Sequence, residues 1–350
     1  MKLLYFLIAV LVFGMLVFIH ELGHYIFARV FKVKIYEFSI GMGPTVISKT
    51  SKKTGIKYSI SLFPIGGYVS MAGEDEESDE PNAIGKKPVW QRMIITIAGA
   101  LMNLLLGVII MFFVILNSRI GTTVVADFLP MDKTGYTISS EGYLLPGDEI
   151  IRVNGTRVHT AAELDYEILH SGGGIVDMTI IRDGETLKTE VAIPSIIDSG
   201  YKYGTRDFRV YEDTNRSFGS LLKHSLYRSV STVKMIWESL IDLVRGRYGI
   251  DAVSGPVGIA GAITGAASSG AGALNFAYIA AVISMNLGIF NLLPFPALDG
   301  GRMVFLLIEG IRGKPAPQKV EAYINGIGLL ILFGFMILIT FKDIFTLIFK

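Results

Sequence analysis

No cysteine occurs anywhere in the 350 residues. Disulfides, thiolate metal sites and cysteine nucleophiles are therefore excluded, while the redox compartment stays open. Histidine is scarce too: His20, His24, His159, His170 and His224 are all there are. Charged residues make up 18% of the chain and the formal net charge is +1, so there is no basic footprint for a nucleic-acid partner. What the sequence has instead is apolar surface, with 51% hydrophobic residues and a mean hydropathy of +0.51. That is too apolar for an ordinary two-domain soluble protein and implies a lipid bilayer as solvent.

Four stretches can cross a hydrocarbon core, which takes ~20 residues. They are residues 3–24, Met93 to Leu116, roughly Ala271 to Phe295, and about Tyr323 to Phe341. Only Lys2 precedes the first, and polar chemistry stands where a cleavage site would lie. It reads as a retained span, not a signal peptide. Lysines and arginines set the orientation. They crowd the stretch from Arg29 to Arg92 and recur at Arg302, Arg312, Lys314 and Lys319. Both stretches are expected in the cytoplasm. The long stretch between the second and third spans, and both termini, are expected outside.

That outer stretch holds a small domain at about 120–195. Gly147-Asp148 reads as a turn, Glu149 to Val153 as an alternating strand, and Asn154-Gly155 as a hairpin turn. A helix is expected at about 161–170. A second hairpin follows, with Asp183-Gly184 at its tip. The order and the run Gly147-Asp148-x-Ile150-x-x-Val153-Asn154-Gly155 resemble a PDZ domain. The loop that usually holds a peptide carboxylate is not recognisable ahead of it. Further on, Leu222, Leu226, Val230, Val233, Trp237, Leu240 and Val244 form one helical stripe. It suits the outer membrane interface or packing against the protein's own spans. Asp75 to Glu80 reads as a solvated acidic loop.

The chemistry sits in His20-Glu21-Leu22-Gly23-His24. Spacing of i and i+4 puts both imidazoles on one helix face, the arrangement by which two histidines share a zinc with a glutamate beside it. Ionisable residues at the edge of a span are costly and usually functional. A catalytic zinc needs a third protein ligand and an open position. His20 lies about 27 Å along a helix from Lys2 at ~1.5 Å per residue, near the inner face. The third span enters from outside, so a partner belongs at its inner end. There the sequence supplies Asp299, between Pro294, Pro296, Gly300 and Gly301, which break the helix and let a side chain turn inward. The alternative is that Asp299 only caps the next helix. Glu309 is a weaker candidate, and the other three histidines fall on the wrong side of the membrane.

With these residues in hand, the chain resembles the site-2 protease family, intramembrane zinc metalloproteases. It is closest in pattern to the bacterial regulator of sigma-E protease type, here with a single PDZ domain. The resemblance rests on His20-Glu21-x-x-His24, on Asn291-x-x-Pro294-x-Pro296-x-Leu298-Asp299-Gly300, and on Gly99-x-x-x-Asn103. Phe38 to Pro44, Pro64 to Met71 and Ser254 to Ile259 add to it. It implies zinc held by His20, His24 and Asp299, with Glu21 as general base and acid. Asn291 and Asn103 are candidates for substrate binding or transition-state support, each with a helix–helix hydrogen bond as its alternative. Gly66 and Gly67 belong to a membrane-associated β-hairpin whose edge is a candidate partner for an extended substrate; an ordinary cytoplasmic hairpin is the alternative.

The expected architecture is a polytopic α-helical membrane protein with four transmembrane helices, a membrane-associated β-hairpin and an inserted α+β PDZ domain. Its segments are a first helix (1–28), the hairpin region (29–92), a second helix (93–116), the PDZ domain (117–197), and a linker with amphipathic helix (198–250). There follow the third helix with its preceding motif (251–300), a cytoplasmic loop (301–322) and the fourth helix (323–350). The expected activity is cleavage of transmembrane segments of single-span proteins already cut by another protease, such as anti-sigma factors or signal-peptide remnants. The expected place is the cell membrane, with the PDZ domain outside and the active site near the cytoplasmic face. A non-catalytic scaffold presenting a PDZ domain is the rival reading. A secondary transporter would need internal repeats of its spans, and none is visible.

Overall fold

The computed structural model describes residues 2–74, 78–130, 138–198, 201–246 and 272–349, with 253, 255, 257–259, 261, 264 and 265 between the last two. Residues 75–77 of the acidic cluster, and Ser254 and Pro256 of the Ser254 to Ile259 motif, lie outside them. In chain order the elements are α1 (Lys2–Val30), β1 (Ile35–Thr50), β2 (Lys57–Met71), α2 (Val89–Leu116), β3 (Gly121–Phe128), β4 (Glu149–Val153), β5 (Thr156–Arg157) and α3 (Ala161–Ser171). Then come β6 (Gly174–Arg182), β7 (Glu185–Ile193), β8 (Ser195–Asp198), β9 (Tyr201–Gly204), β10 (Phe208–Glu212), α4 (Phe218–Val244), α5 (Gly272–Asn291), α6 (Asp299–Arg312) and α7 (Gln318–Phe349). They form two compact units, residues 1–110 with 233–350, and residues 111–232.

Uninterrupted apolar runs make the long helices of the first unit. Four stretches are long and apolar enough to span a bilayer: Val10–Val30, Val89–Leu116, Gly272–Asn291 and Gln318–Thr346. Their outer faces stay bare. On α7 Leu330, Phe333 and Leu338 are all exposed, a surface that suits hydrocarbon and not water. This is the surface of a multi-pass membrane protein. The helix ends differ from those expected. α1 runs six residues past His24, and α5 stops at Asn291. The stretch 301–322, expected as a loop, carries most of α6. That helix begins after the extended Leu298 and ends at the left-handed Gly313, whose N–H bonds Glu309 O at 2.7 Å. A Cβ at Gly300 or Gly301 would collide with the carbonyls of Leu292, Leu293 and Phe295. Two adjacent glycines therefore let the first turn of α6 fold back on the turn that leaves α5.

β1 and β2 form one antiparallel hairpin that curls on itself. Residues 35–40 of β1 pair with 67–71 on one side and with 57–60 on the other, while 45–50 pair with 57–61. The curl needs Gly41 and Gly43, whose φ values are +85° and +87°. Residues 67–71 are consequently an edge, paired on one side only among the described residues. Val33, Ile35, Phe38, Val69 and Met71 pack on Ala28 of α1 and Ile95 of α2. This burial fixes the hairpin against the N-terminal helix.

The second unit is an α+β domain. Its six-stranded sheet runs β10-β3-β4-β6-β7, with β5 paired to β4. Met178 and Ile180 of β6, and Ile150 and Val153 of β4 on either side of a bulge, enter one core with Leu164 and Ile168 of α3. Thr160 caps α3 through its hydroxyl and Gly172 closes it in the left-handed region. The expected linker at 198–250 is a linker only in part. It supplies β10, which pairs with β3, and the buried Phe208. α4 matches the expected apolar stripe, but Leu222, Leu226, Val230 and Trp237 of that stripe are exposed. The face turned inward is polar, with Ser225, Ser229, Ser231 and Thr232 buried. Ser231 Oγ donates to Glu163 Oε1 of α3 at 3.0 Å.

Asp148 ties the domain's turn to its sheet. Its buried carboxylate accepts a bidentate fork from Arg182, at 2.8 and 2.7 Å, and the Leu145 N–H at 2.8 Å. Burial pushes this carboxyl up, but the Arg182 fork and the Leu145 N–H outweigh burial and hold it below its ordinary value. A depressed carboxyl stabilises the fold above its unfolded pKa of about 3.9, and that contribution disappears as pH falls further, through the folded value. Arg182→Ala leaves the charge buried and is expected to cost roughly 2 kcal/mol at neutral pH. A single cysteine introduced at Val191 in the otherwise cysteine-free chain reports unfolding in urea. An unchanged midpoint in Arg182→Ala would show that the fork contributes nothing.

Candidate active site

Two helices make the site before any third element joins. His20 and His24 lie one turn apart on α1, and α2 runs against them with nothing between. A Cβ at Gly99 would collide with the His24 ring and lie 2.8 Å from His20 Nε2. One turn before Gly99, the Ile95 carbonyl accepts a hydrogen bond from His24 Nδ1 at 2.8 Å. That bond fixes the tautomer, so Nε2 of a neutral His24 presents a lone pair. Gly23 has the same requirement from the other side, since a Cβ there would meet the Ala98 carbonyl and the Met102 side chain.

Asp299, the first residue of α6, completes the cluster. Its Oδ2 lies 3.1 Å from His20 Nε2 and 3.5 Å from His24 Nε2, and the two Nε2 atoms are 3.2 Å apart. The donor set suits zinc. Two ligands at ~2.1 Å and a tetrahedral angle stand about 3.4 Å apart. Asp299 Oδ2 is buried without a well-formed hydrogen bond, so three potential ligand atoms converge within 3.5 Å of one another. A cation at their centre would satisfy all three.

A cavity of about 510 Å³ opens on the cluster. Glu21 lines it beside the histidines, as do Asn291, Val69, Met71 and Arg302. Gly67, on the free edge of the hairpin, stands behind Glu21, and a Cβ there would lie 3.6 Å from Glu21 Cγ and 2.7 Å from the Ser39 carbonyl. Gly66 adopts φ +84°, and a Cβ there would meet the Met42 side chain. Asn291 ends α5, with its Nδ2 donating to Leu287 O at 3.0 Å. Asn103 is fully buried and outside the cavity lining, with its amide beside His20 Nδ1. Of the two readings offered by the sequence, this placement is in keeping with a helix–helix hydrogen bond.

The remaining candidates are engaged elsewhere. Glu309 pairs with Arg92 of α2. His159 bonds Glu163, His170 the Tyr166 carbonyl, and His224 Asp213. Sequence reasoning missed the Ile95 carbonyl and the pair formed by Arg302 and Glu74 in the cavity wall. Arg302 follows Asp299 by three residues, so helical spacing places it on the same face. Gly99→Ala is expected to force α2 off the imidazoles and to lower the metal content of the purified protein at least severalfold. Metal analysis of that variant showing full occupancy would mean that the two helices separate at no cost to the site.

Comparison with known proteins agrees with this geometry over nearly the whole chain. The model of peptidase family M50 matches residues 8–335. A Clostridium acetobutylicum protein named "Putative zinc metalloprotease" is 35% identical over 96% of each chain. The "Regulator of sigma-W protease RasP" of Bacillus subtilis is 30% identical over 96% of this chain and 97% of its own. A "Zinc metalloprotease RasP" of Geobacillus kaustophilus is also 30% identical, over 96% of each. The two helices, the buried carboxylate and a match of this extent have one reading: the chain belongs to peptidase family M50 and is a site-2-type zinc metalloprotease.

Proposed function

We propose that the chain cleaves the transmembrane segments of single-span membrane proteins, with zinc held by His20, His24 and Asp299 and with Glu21 as the proton carrier. The observation that carries this reading is the convergence of those three ligand atoms on a cavity that Glu21 also lines. When bound, zinc supplies Lewis-acid chemistry, acidifying water and polarising a carbonyl. Glu21 stands beside the ligand cluster without belonging to it. Its carboxylate takes a proton from the attacking water and returns it to the leaving amine. Asn291 holds substrate backbone once its amide turns from Leu287, and the free edge at 67–71 pairs with an extended substrate. Such pairing matters because a peptide bond inside a helix is shielded and must unwind before attack.

In this proposal the loops rich in lysine and arginine are cytoplasmic, the active site is near that face, and the 121–212 domain is outside. The strand and helix order of that domain, with Gly147-Asp148 and Asn154-Gly155 at its turns, supports a PDZ domain. None of its described residues belongs to the ligand cluster, so its role is to govern which substrates arrive. Substrates trimmed beforehand by another protease, anti-sigma factors or signal-peptide remnants among them, fit such control. The name of the Bacillus subtilis relative, regulator of sigma-W protease, is in keeping with an anti-sigma substrate.

Glu21→Gln is expected to keep zinc and folding while losing cleavage by at least ~100-fold. His24→Ala and Asp299→Ala are expected to lose zinc. A scaffold would be indifferent to Glu21 in a cellular assay, and wild-type cleavage by Glu21→Gln in detergent would assign the proton to another base. For topology, single cysteines at the exposed positions Glu185 and Lys314 are treated with an impermeant maleimide on intact cells. Labelling is expected at 185 and not at 314. The reverse pattern would invert the orientation.

A further inference from the structure

Zinc on Nε2 of a histidine requires the ring's other nitrogen to carry a proton, and a buried N–H requires an acceptor. His24 has one in the Ile95 carbonyl. His20 is more deeply buried, and the polar group at its Nδ1 is the side-chain amide of Asn103, 3.4 Å away. Ile95, Gly99 and Asn103 follow one another at intervals of four on α2, so they lie on one face across two turns. His20 and His24 meet this face in antiparallel order.

The Asn103 amide has two orientations related by a half-turn about its last side-chain bond. With Nδ2 toward the ring, two donors would compete for one proton position, and Oδ1 is left buried without a partner. With Oδ1 toward the ring, Oδ1 accepts from His20 Nδ1–H, and Nε2 is left with its lone pair directed at Asp299. Only the second orientation is compatible with a metal on His20. The backbone of Asn103 is held independently, since Ser284 Oγ of α5 donates to its carbonyl at 2.7 Å. Asn103 is thus fixed from two neighbouring helices, at zero exposure.

We propose that Asn103 is a positioning residue for the metal: its amide oxygen holds His20 in the tautomer and ring orientation that bind zinc. This rests on the ligand assignment above. It gives a function to the helix–helix hydrogen bond that was the alternative reading of Asn103 in the sequence.

The test is zinc affinity, measured on the full chain in detergent by competition with a chromophoric chelator, with no substrate present. Asn103→Leu keeps the volume and removes the acceptor, and is expected to weaken zinc binding roughly 10- to 100-fold. Asn103→Asp keeps an acceptor of the same shape and is expected to bind within a few-fold of wild type or tighter. Wild-type affinity in Asn103→Leu would overturn the proposal. So would a fall in Asn103→Asp as large as in Asn103→Leu, because packing or amide donation would then be what counts. Where Asn103→Leu does not accumulate, Asn103→Ala replaces it with the same expectation and the same overturning result. His24→Ala separates the two readings. If it retains zinc, the ligand assignment fails. If it loses zinc while Asn103→Leu does not, only the positioning role fails.

Discussion

The close approach of α1 and α2 at Gly99 is the constraint on which the site depends. Two imidazoles fill the space that any side chain at this position would need. Because that space is free, the α2 backbone comes close enough for the Ile95 carbonyl to reach His24. The opposite side of α2 is equally tight. A Cβ on Gly288 of α5 would stand 2.9 Å from the Ala100 carbonyl, and one on Gly107 would stand 2.5 Å from Met285. Small residues let helices pack closely where lipid offers no hydrophobic drive between them. α2 therefore sets the distance between the helix that carries the histidines and the helix that leads, through Asn291 and the Pro294 to Leu298 turn, to Asp299.

How much of this was legible depended on how local each signal is. His20, Glu21 and His24 are a five-residue pattern whose geometry follows from the helical repeat alone. Asp299 could be found without a structure because a bilayer imposes depth, and depth can be counted in residues. Strands β4 to β7 could be read from alternation and turn residues. β10 could not. Its partner β3 lies some eighty residues earlier, and no local pattern announces a pairing over that distance. α6 was hidden by the prolines and glycines around Asp299, which argued for a break and did not reveal that a helix restarts within it. The Ile95 carbonyl left no trace, because a backbone acceptor can belong to any residue type. Asn103 was visible as part of a motif, but its target was not: only the antiparallel register of α1 and α2 shows that it faces a ring nitrogen and not the cavity.

Burial in the α+β domain and its following helix shows how the same physical rules change with the solvent. Asp148 is buried because Arg182 and a backbone N–H satisfy it, as expected in a water-soluble fold. α4 buries Ser225, Ser229, Ser231 and Thr232 and leaves Leu222, Leu226, Val230, Trp237 and Val244 of its apolar stripe exposed. In water that arrangement would be an aggregation hazard. Against acyl chains it would be the economical one: the Ser231 hydroxyl donates to Glu163 and the Thr232 hydroxyl to the Arg228 carbonyl.

If substrates pair with the edge at residues 67–71, as proposed above, a consequence for selectivity follows. A strand edge offers main-chain donors and acceptors, and every residue except proline answers them alike. Recognition of that kind is blind to side-chain identity. What it measures is how cheaply a segment gives up its own helical hydrogen bonds, and so it ranks clients by local helix stability instead of by a cleavage motif. Glycine and β-branched residues lower that cost by tenths of a kcal/mol to about 1 kcal/mol each. A few of them, spread along a client helix, suffice to separate chains that open at the edge from chains that pass it by.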